Sequence, residues 1–113
     1  MNNKITYTLT DMKALDSMVD GKHQGIVVVI DDFEYSDVDT MYNDNVVVML
    51  DHLEDPHNFG AIIRTCECAG IKSIIIPKDR GASVSATVMK TSAGAINNIP
   101  ISMVTNLSKT INY

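Results

Sequence analysis

Asp51, His52, Glu54, Asp55 and His57 bring three carboxylates and two imidazoles into seven residues, and Asn58, Gly60 and Arg64 follow directly. Such a set could hold a metal ion, since zinc and its neighbours take nitrogen and oxygen ligands. Pro56 rigidifies the loop, however, and the histidines do not take the i, i+4 spacing of a helical ligand pair. No metal is expected. Arg64 offers different chemistry, because a guanidinium can fork two hydrogen bonds onto a phosphate. An arginine on the outer face of an amphipathic helix can equally be solvated and idle. Spacing alone leaves both readings standing.

These residues need elements to position them. Residues 46–50, Val-Val-Val-Met-Leu, read as a buried strand, and 51–57 as the loop after it. Asn58 is expected to cap a helix that ends at Ala69-Gly70, with Phe59, Ile62, Cys66 and Ala69 on its inward face. Gly60 permits close approach of another backbone or a ligand. A helix starting at the carboxyl end of a parallel strand is where open α/β sheets place ligands, and its free amides favour anions. Strands are expected at 71–76 and 99–104. A helix capped by Ser83 should run to Ser92, with Ala93-Gly94-Ala95 ending it. Thr105 or Asn106 should cap a last helix.

Upstream, residues 5–9 read as a polar strand. Thr10 or Asp11 caps a helix carrying Met12, Leu15 and Met18, which Gly21 closes. Residues 25–30, Gly-Ile-Val-Val-Val-Ile, read as another buried strand, and the acidic 31–45 as a connection with one helical turn near Val38. Alternating strands and helices imply an α/β fold with a mostly parallel sheet and flanking helices.

The chain has 113 residues, room for one small core. Its net charge of −5 argues against non-specific nucleic-acid binding, which needs a clustered basic surface. Lys78 and Arg80, with Lys72 and Arg64, form the local basic groups. No apolar run approaches a membrane span, and the N-terminus carries no apolar signal core, so a cytoplasmic protein is expected. Cys66 and Cys68, two positions apart on a helix, suit neither a mutual disulfide nor a zinc site.

The run Leu50-Asp51…Asp55-Pro56-His57-Asn58-Phe59-Gly60-Ala61-Ile62-Ile63-Arg64-Thr65…Ala69-Gly70 resembles the first motif of the SpoU RNA 2′-O-methyltransferases, within the SPOUT superfamily. Lys90-Thr91-Ser92-Ala93-Gly94-Ala95, then Ile99-Pro100-Ile101 and Val104-Thr105-Asn106-Leu107, resemble the family's next stretches. His23-Gln24-Gly25-Ile26 suits the entry to the catalytic domain of the ribosomal RNA guanosine branch.

The resemblance implies transfer of a methyl group from S-adenosylmethionine to a ribose 2′-hydroxyl, with rRNA as substrate and a homodimeric assembly. By resemblance Arg64 and Asn58 are catalytic. Arg64, Lys78, Arg80, Lys90 and Ser92 face RNA, and Thr105, Asn106 and Leu107 edge the donor pocket. Glu67 would position Arg64. Residues 1–24 resemble the end of a small RNA-binding domain and 25–113 the N-terminal portion of the knotted catalytic domain. The family's glycine- and glutamate-containing loop and its last Asn-containing segment, which build the knot and the donor site, have no counterpart among these residues. An inactive fragment, excised or truncated, is therefore expected. The competing expectation is a non-catalytic RNA-binding or self-associating α/β module.

Overall fold

The computed structural model describes residues 5–19 and 21–113, and divides into two units, Met1–Asp32 and Phe33–Tyr113. The first four residues of the expected N-terminal remnant lie outside the described residues.

In the first unit, Asp11 caps helix α1 (Met12–Met18) by accepting from the Ala14 amide at 2.8 Å. Leu15 is its buried side chain, and the helix stops at Met18 with Val19 extended rather than being closed by Gly21. His23 is fixed at both ring nitrogens: Nε2 lies 2.6 Å from an Asp16 carboxylate oxygen, and Nδ1 accepts from the Gly25 amide at 3.0 Å. The strands expected at 5–9 and 25–30 are absent, and Ile26, Val28, Val29 and Ile30 are exposed. Apolar, β-branched residues favour a strand only where a neighbour completes the ladder, and neither segment has one.

The second unit holds a parallel sheet of β1 (Val48–Met49), β2 (Ile74–Pro77) and β3 (Ile101–Val104), in that order. Val48 pairs with Ile74, and Ile74 with Ile101. Each strand starts two or three residues later than expected. Ser73 turns its hydroxyl onto the Asp44 carboxylate at the start of β2, and Pro77 closes the strand as its last paired residue, opposite Val104. Ile74, Ile75 and Ile76 are all buried, as in a central strand.

Helix α2 (Pro56–Cys68) crosses from β1 to β2, and α3 (Ala86–Thr91) from β2 to β3. Phe59 and Ile63 of α2, Val88 of α3, and Ile74, Ile76 and Ile101 of the sheet form the core. The inward stripe of α2 is Phe59, Gly60, Ile63 and Cys66. Ile62 is only partly buried, and Ala69, at the cap, is exposed. Ser85, not Ser83, caps α3, because the Val84 amide already donates to the Tyr35 hydroxyl at 2.9 Å and is held outside the helix. Ala93 and Gly94, both at positive φ, end this stretch before a 3-10 turn at Ala95–Asn97. The helical turn expected near Val38 is a 3-10 turn, Val38–Met41, and Asn106 caps the short α4 (Leu107–Ile111). No helix among the described residues is long and apolar enough to cross a membrane.

Candidate functional site

The β1–α2 loop delivers α2 to the carboxyl end of the sheet. Its cap is Asp55, whose carboxylate accepts from the His57 amide at 2.9 Å, and Pro56 takes the first helical turn. Asn58 therefore sits inside the helix rather than capping it. The physical reason is the Asp-Pro pair: aspartate is a strong cap, and proline's fixed φ and missing N–H suit the first helical position. That dipeptide was the signal for the true start, and it frees the exposed Asn58 amide from capping.

The acidic and imidazole side chains of the loop do not gather. Asp55 is committed to the cap. His52, at φ 53°, turns back on Asp51 with Nδ1 2.9 Å from its carboxylate, and both side chains are about two-thirds exposed. Among the described residues no three His, Cys, Asp or Glu side chains converge. The loop is tied instead to the β2–α3 loop, where the Ala82 amide donates to the Leu53 carbonyl at 2.5 Å. That bond brings the segment bearing Lys78 and Arg80 to the same end of the sheet as Asn58. Both basic side chains are exposed, and Arg80 adopts a left-handed φ of 56°.

Arg64 is exposed on α2 and forms no ion pair among the described residues. Glu67, expected to position it, accepts instead from the Asn98 side-chain amide at 2.5 Å. An open groove of about 360 Å³ is lined by Leu53, Asn58, Ala61, Ile62, Thr65 and Cys66, and Arg64, one turn beyond Ala61, is not among its lining residues. Asn58 and Arg64 are six residues apart and thus about 120° apart around the helix, on either side of Ala61. A second cavity, about 230 Å³ between Asn43 and Lys72, lies at the amino ends of β1 and β2, away from this loop.

The other expected residues divide. Lys90 is exposed in the last turn of α3. Ser92 is fully buried, its hydroxyl donating to the Met89 carbonyl at 3.0 Å, so it belongs to the packing and not to an RNA-facing surface. Thr105 is exposed, Leu107 is half-buried, and the Asn106 side chain accepts from the Lys109 amide at 2.9 Å as a helix cap. Neither cavity includes these three residues.

Gly60 is where α2 meets α3. A Cβ on it would lie 1.8 Å from the Thr91 hydroxyl oxygen, so only glycine permits this approach. Thr91 was not singled out in the sequence, because nothing local marks a residue thirty-one positions away as the partner of Gly60.

An open parallel α/β sheet, with a loop and helix at the carboxyl end of a strand and an exposed arginine on that helix, defines the class. The SpoU rRNA Methylase family model matches residues 45–113, and the chain belongs to that family. It is 42% identical over 95% of its length to Bacillus subtilis YacO, a protein assigned to the TrmH family of tRNA/rRNA methyltransferases, and covers 46% of that relative. A Staphylococcus haemolyticus protein of the same assignment is 43% identical over 86% of this chain, which covers 42% of it. The chain thus spans less than half the length of these relatives. Among solved structures, an AdoMet-bound rRNA methyltransferase from Sinorhizobium meliloti superposes with a TM-score of 0.62 at 30% identity, over 70% of this chain and 31% of that one. A TrmH-family structure from Porphyromonas gingivalis gives 0.53 at 28%, over 57% and 26%. The sheet and its crossover helices are accordingly part of a SPOUT domain.

Proposed function

We propose that this chain supplies the RNA-facing half of an S-adenosylmethionine-dependent 2′-O-ribose methyltransferase whose substrate is ribosomal RNA. The observation that carries the reading is Arg64, exposed and without an ion pair among the described residues, on the same helix as Asn58, which begins at the carboxyl end of a parallel strand. The guanidinium clamps a phosphate next to the target ribose and stabilises the oxyanion that develops as the 2′-hydroxyl attacks. A guanidinium has only donors and no acceptor lone pair, so the hydroxyl proton goes to another group. Asn58 shapes the nucleotide seat, and Lys78, Arg80 and Lys90 hold the RNA backbone.

The donor supplies an electrophilic methyl group when bound. The described residues do not enclose it. Thr105, Asn106 and Leu107 form an open turn with Asn106 committed to a cap, and by family resemblance they would serve as an edge of the donor site. We infer that residues 1–113 alone bind S-adenosylmethionine weakly and are inactive by themselves. The remaining parts of the reading are a cytoplasmic, homodimeric assembly, with residues 1–24 as the end of an RNA-binding domain and 25–113 as catalytic domain. A non-catalytic RNA-binding or self-associating module is the second reading, its self-associating form favoured by the exposed apolar residues 26 and 28–30.

Binding to in vitro transcribed, unmodified 16S and 23S rRNA, measured across salt concentrations, tests the first reading. Arg64→Ala should weaken binding and reduce the salt slope by about one, and Arg64→Lys should not restore it fully, because the fork is lost. Unchanged RNA affinity and slope in Arg64→Ala overturn the role of Arg64. Calorimetry with S-adenosylmethionine tests the half-site, which stoichiometric micromolar binding by residues 1–113 would refute.

A further inference from the structure

Everything proposed for Asn58 and Arg64 depends on how α2 is set against its neighbours, and α2 approaches α3 most tightly at Gly60. Gly60 forms a notch in α2, and the Thr91 side chain at the end of α3 fills it. A Cβ on Gly60 would lie 1.8 Å from Thr91 Oγ1, 2.7 Å from its Cβ and 3.0 Å from the Ser92 amide nitrogen. The atom in the notch is an oxygen, smaller than a methyl, lying against the Gly60 backbone in the manner of the Cα–H···O contacts that recur where helices pack closely.

The same hydroxyl is oriented by its own helix. It lies 2.9 Å from the Thr87 carbonyl, as donor, and 3.4 Å from the Pro56 carbonyl in the first turn of α2. Thr91 is thus held on one side by α3 and set on the other over the turn that contains Asn58. Its neighbours define what the contact spaces. Lys90, one residue before it, is the exposed cation of α3, and Asn58 and Arg64 lie two residues before and four after Gly60 on α2.

We infer that Thr91 is a positioning residue. Its hydroxyl oxygen, seated in the Gly60 notch, sets the separation of α2 from α3, and so the spacing between Asn58 and Arg64 on one helix and Lys90 on the other. Within the motif Lys90-Thr91-Ser92, it is then the middle residue that organises the site, while Ser92 is internal packing. The inference rests on the reading of Arg64 as an RNA contact.

The experiment compares wild type with Thr91→Ser, Thr91→Val, Thr91→Ala and Arg64→Ala. It measures affinity for the unmodified 16S and 23S rRNA transcripts, melting temperature, and hydrogen exchange at the Phe59 and Gly60 amides. Serine keeps the oxygen and should restore wild-type affinity and protection. Valine puts a methyl where the oxygen sits, and alanine empties the notch. Each should weaken RNA binding on the order of ten-fold and loosen those two amides, with the melting transition still cooperative. The inference is overturned if Thr91→Val and Thr91→Ala bind as wild type while Arg64→Ala is weakened. It is also overturned if serine fails to restore binding. If Arg64→Ala too binds as wild type, the RNA reading of the site fails and the inference falls with it. A loss of RNA binding that tracks melting temperature across the Thr91 variants, without altered exchange at Phe59 and Gly60, assigns Thr91 a merely structural role.

Discussion

The Glu67 carboxylate accepts a hydrogen bond from the Asn98 side-chain amide at 2.5 Å, and this bond joins the last turn of α2 to the connection entering β3. Glu67 is three residues beyond Arg64, the spacing at which an acidic partner could neutralise it, yet its carboxylate faces the other way. Glu67 is thus engaged in the fold, and Arg64 has no ion-pair partner among the described residues. Asn98→Ala should cost about 1 kcal/mol of stability, the net worth of one such bond, and leave RNA affinity unchanged. Chemical denaturation beside RNA binding checks this. A larger loss of RNA affinity than of stability would place Asn98 in the site.

Gly60→Ala should be among the most damaging single-methyl changes in the chain. The added carbon meets the Thr91 side chain and the Ser92 backbone, so α2 and α3 must separate. Overpacking of this kind costs about 1–3 kcal/mol. Denaturant unfolding should show a lowered midpoint, whereas Gly70→Ala, with no atom within 4 Å of its Cβ, suffers only the strain of its φ of +77°. Equal stability of Gly60→Ala and wild type would mean that the helices do not approach as described.

The two cysteines should differ in reactivity. Cys66 is buried in the core, and burial raises its thiol pKa, because the thiolate would be poorly solvated there. Cys68 is exposed. Alkylation at mildly alkaline pH should modify Cys68 and spare Cys66 until the protein unfolds, as peptide mass mapping would show. The folded state holds the Cys66 proton more tightly than the unfolded chain. This contribution is complete below the ordinary thiol range and is lost as pH rises toward and through the raised value. A Cys66→Ala variant should lack that alkaline decline, and an unchanged decline would assign it to other groups.

Much of this was legible in sequence. Val46 to Leu50, Ile71 to Ile76 and Ile99 to Val104 carry apolar runs that identify the three strands, because a parallel sheet covered by helices buries both strand faces. The motif from Asp55 to Arg64 locates the site, since the residues of a loop and the helix it feeds are contiguous. Strand ends and caps were less legible. Residues 25–30 are as apolar as β2 yet form no strand, because a strand exists only with a partner to complete its hydrogen bonds.

Local composition thus determined the order of strands and helices from residue 46 onward, the parallel α/β class and the position of the loop that feeds α2. Only the tertiary structure decided that Glu67 turns to Asn98, leaving Arg64 without an ion pair among the described residues, and that Ser92 is internal while Thr91 abuts Gly60. These outcomes depend on which of several feasible partners lies within hydrogen-bond or van der Waals reach. For residues thirty-one positions apart, such as Gly60 and Thr91 or Glu67 and Asn98, that is set by how the helices pack over the sheet and not by anything in the neighbouring sequence.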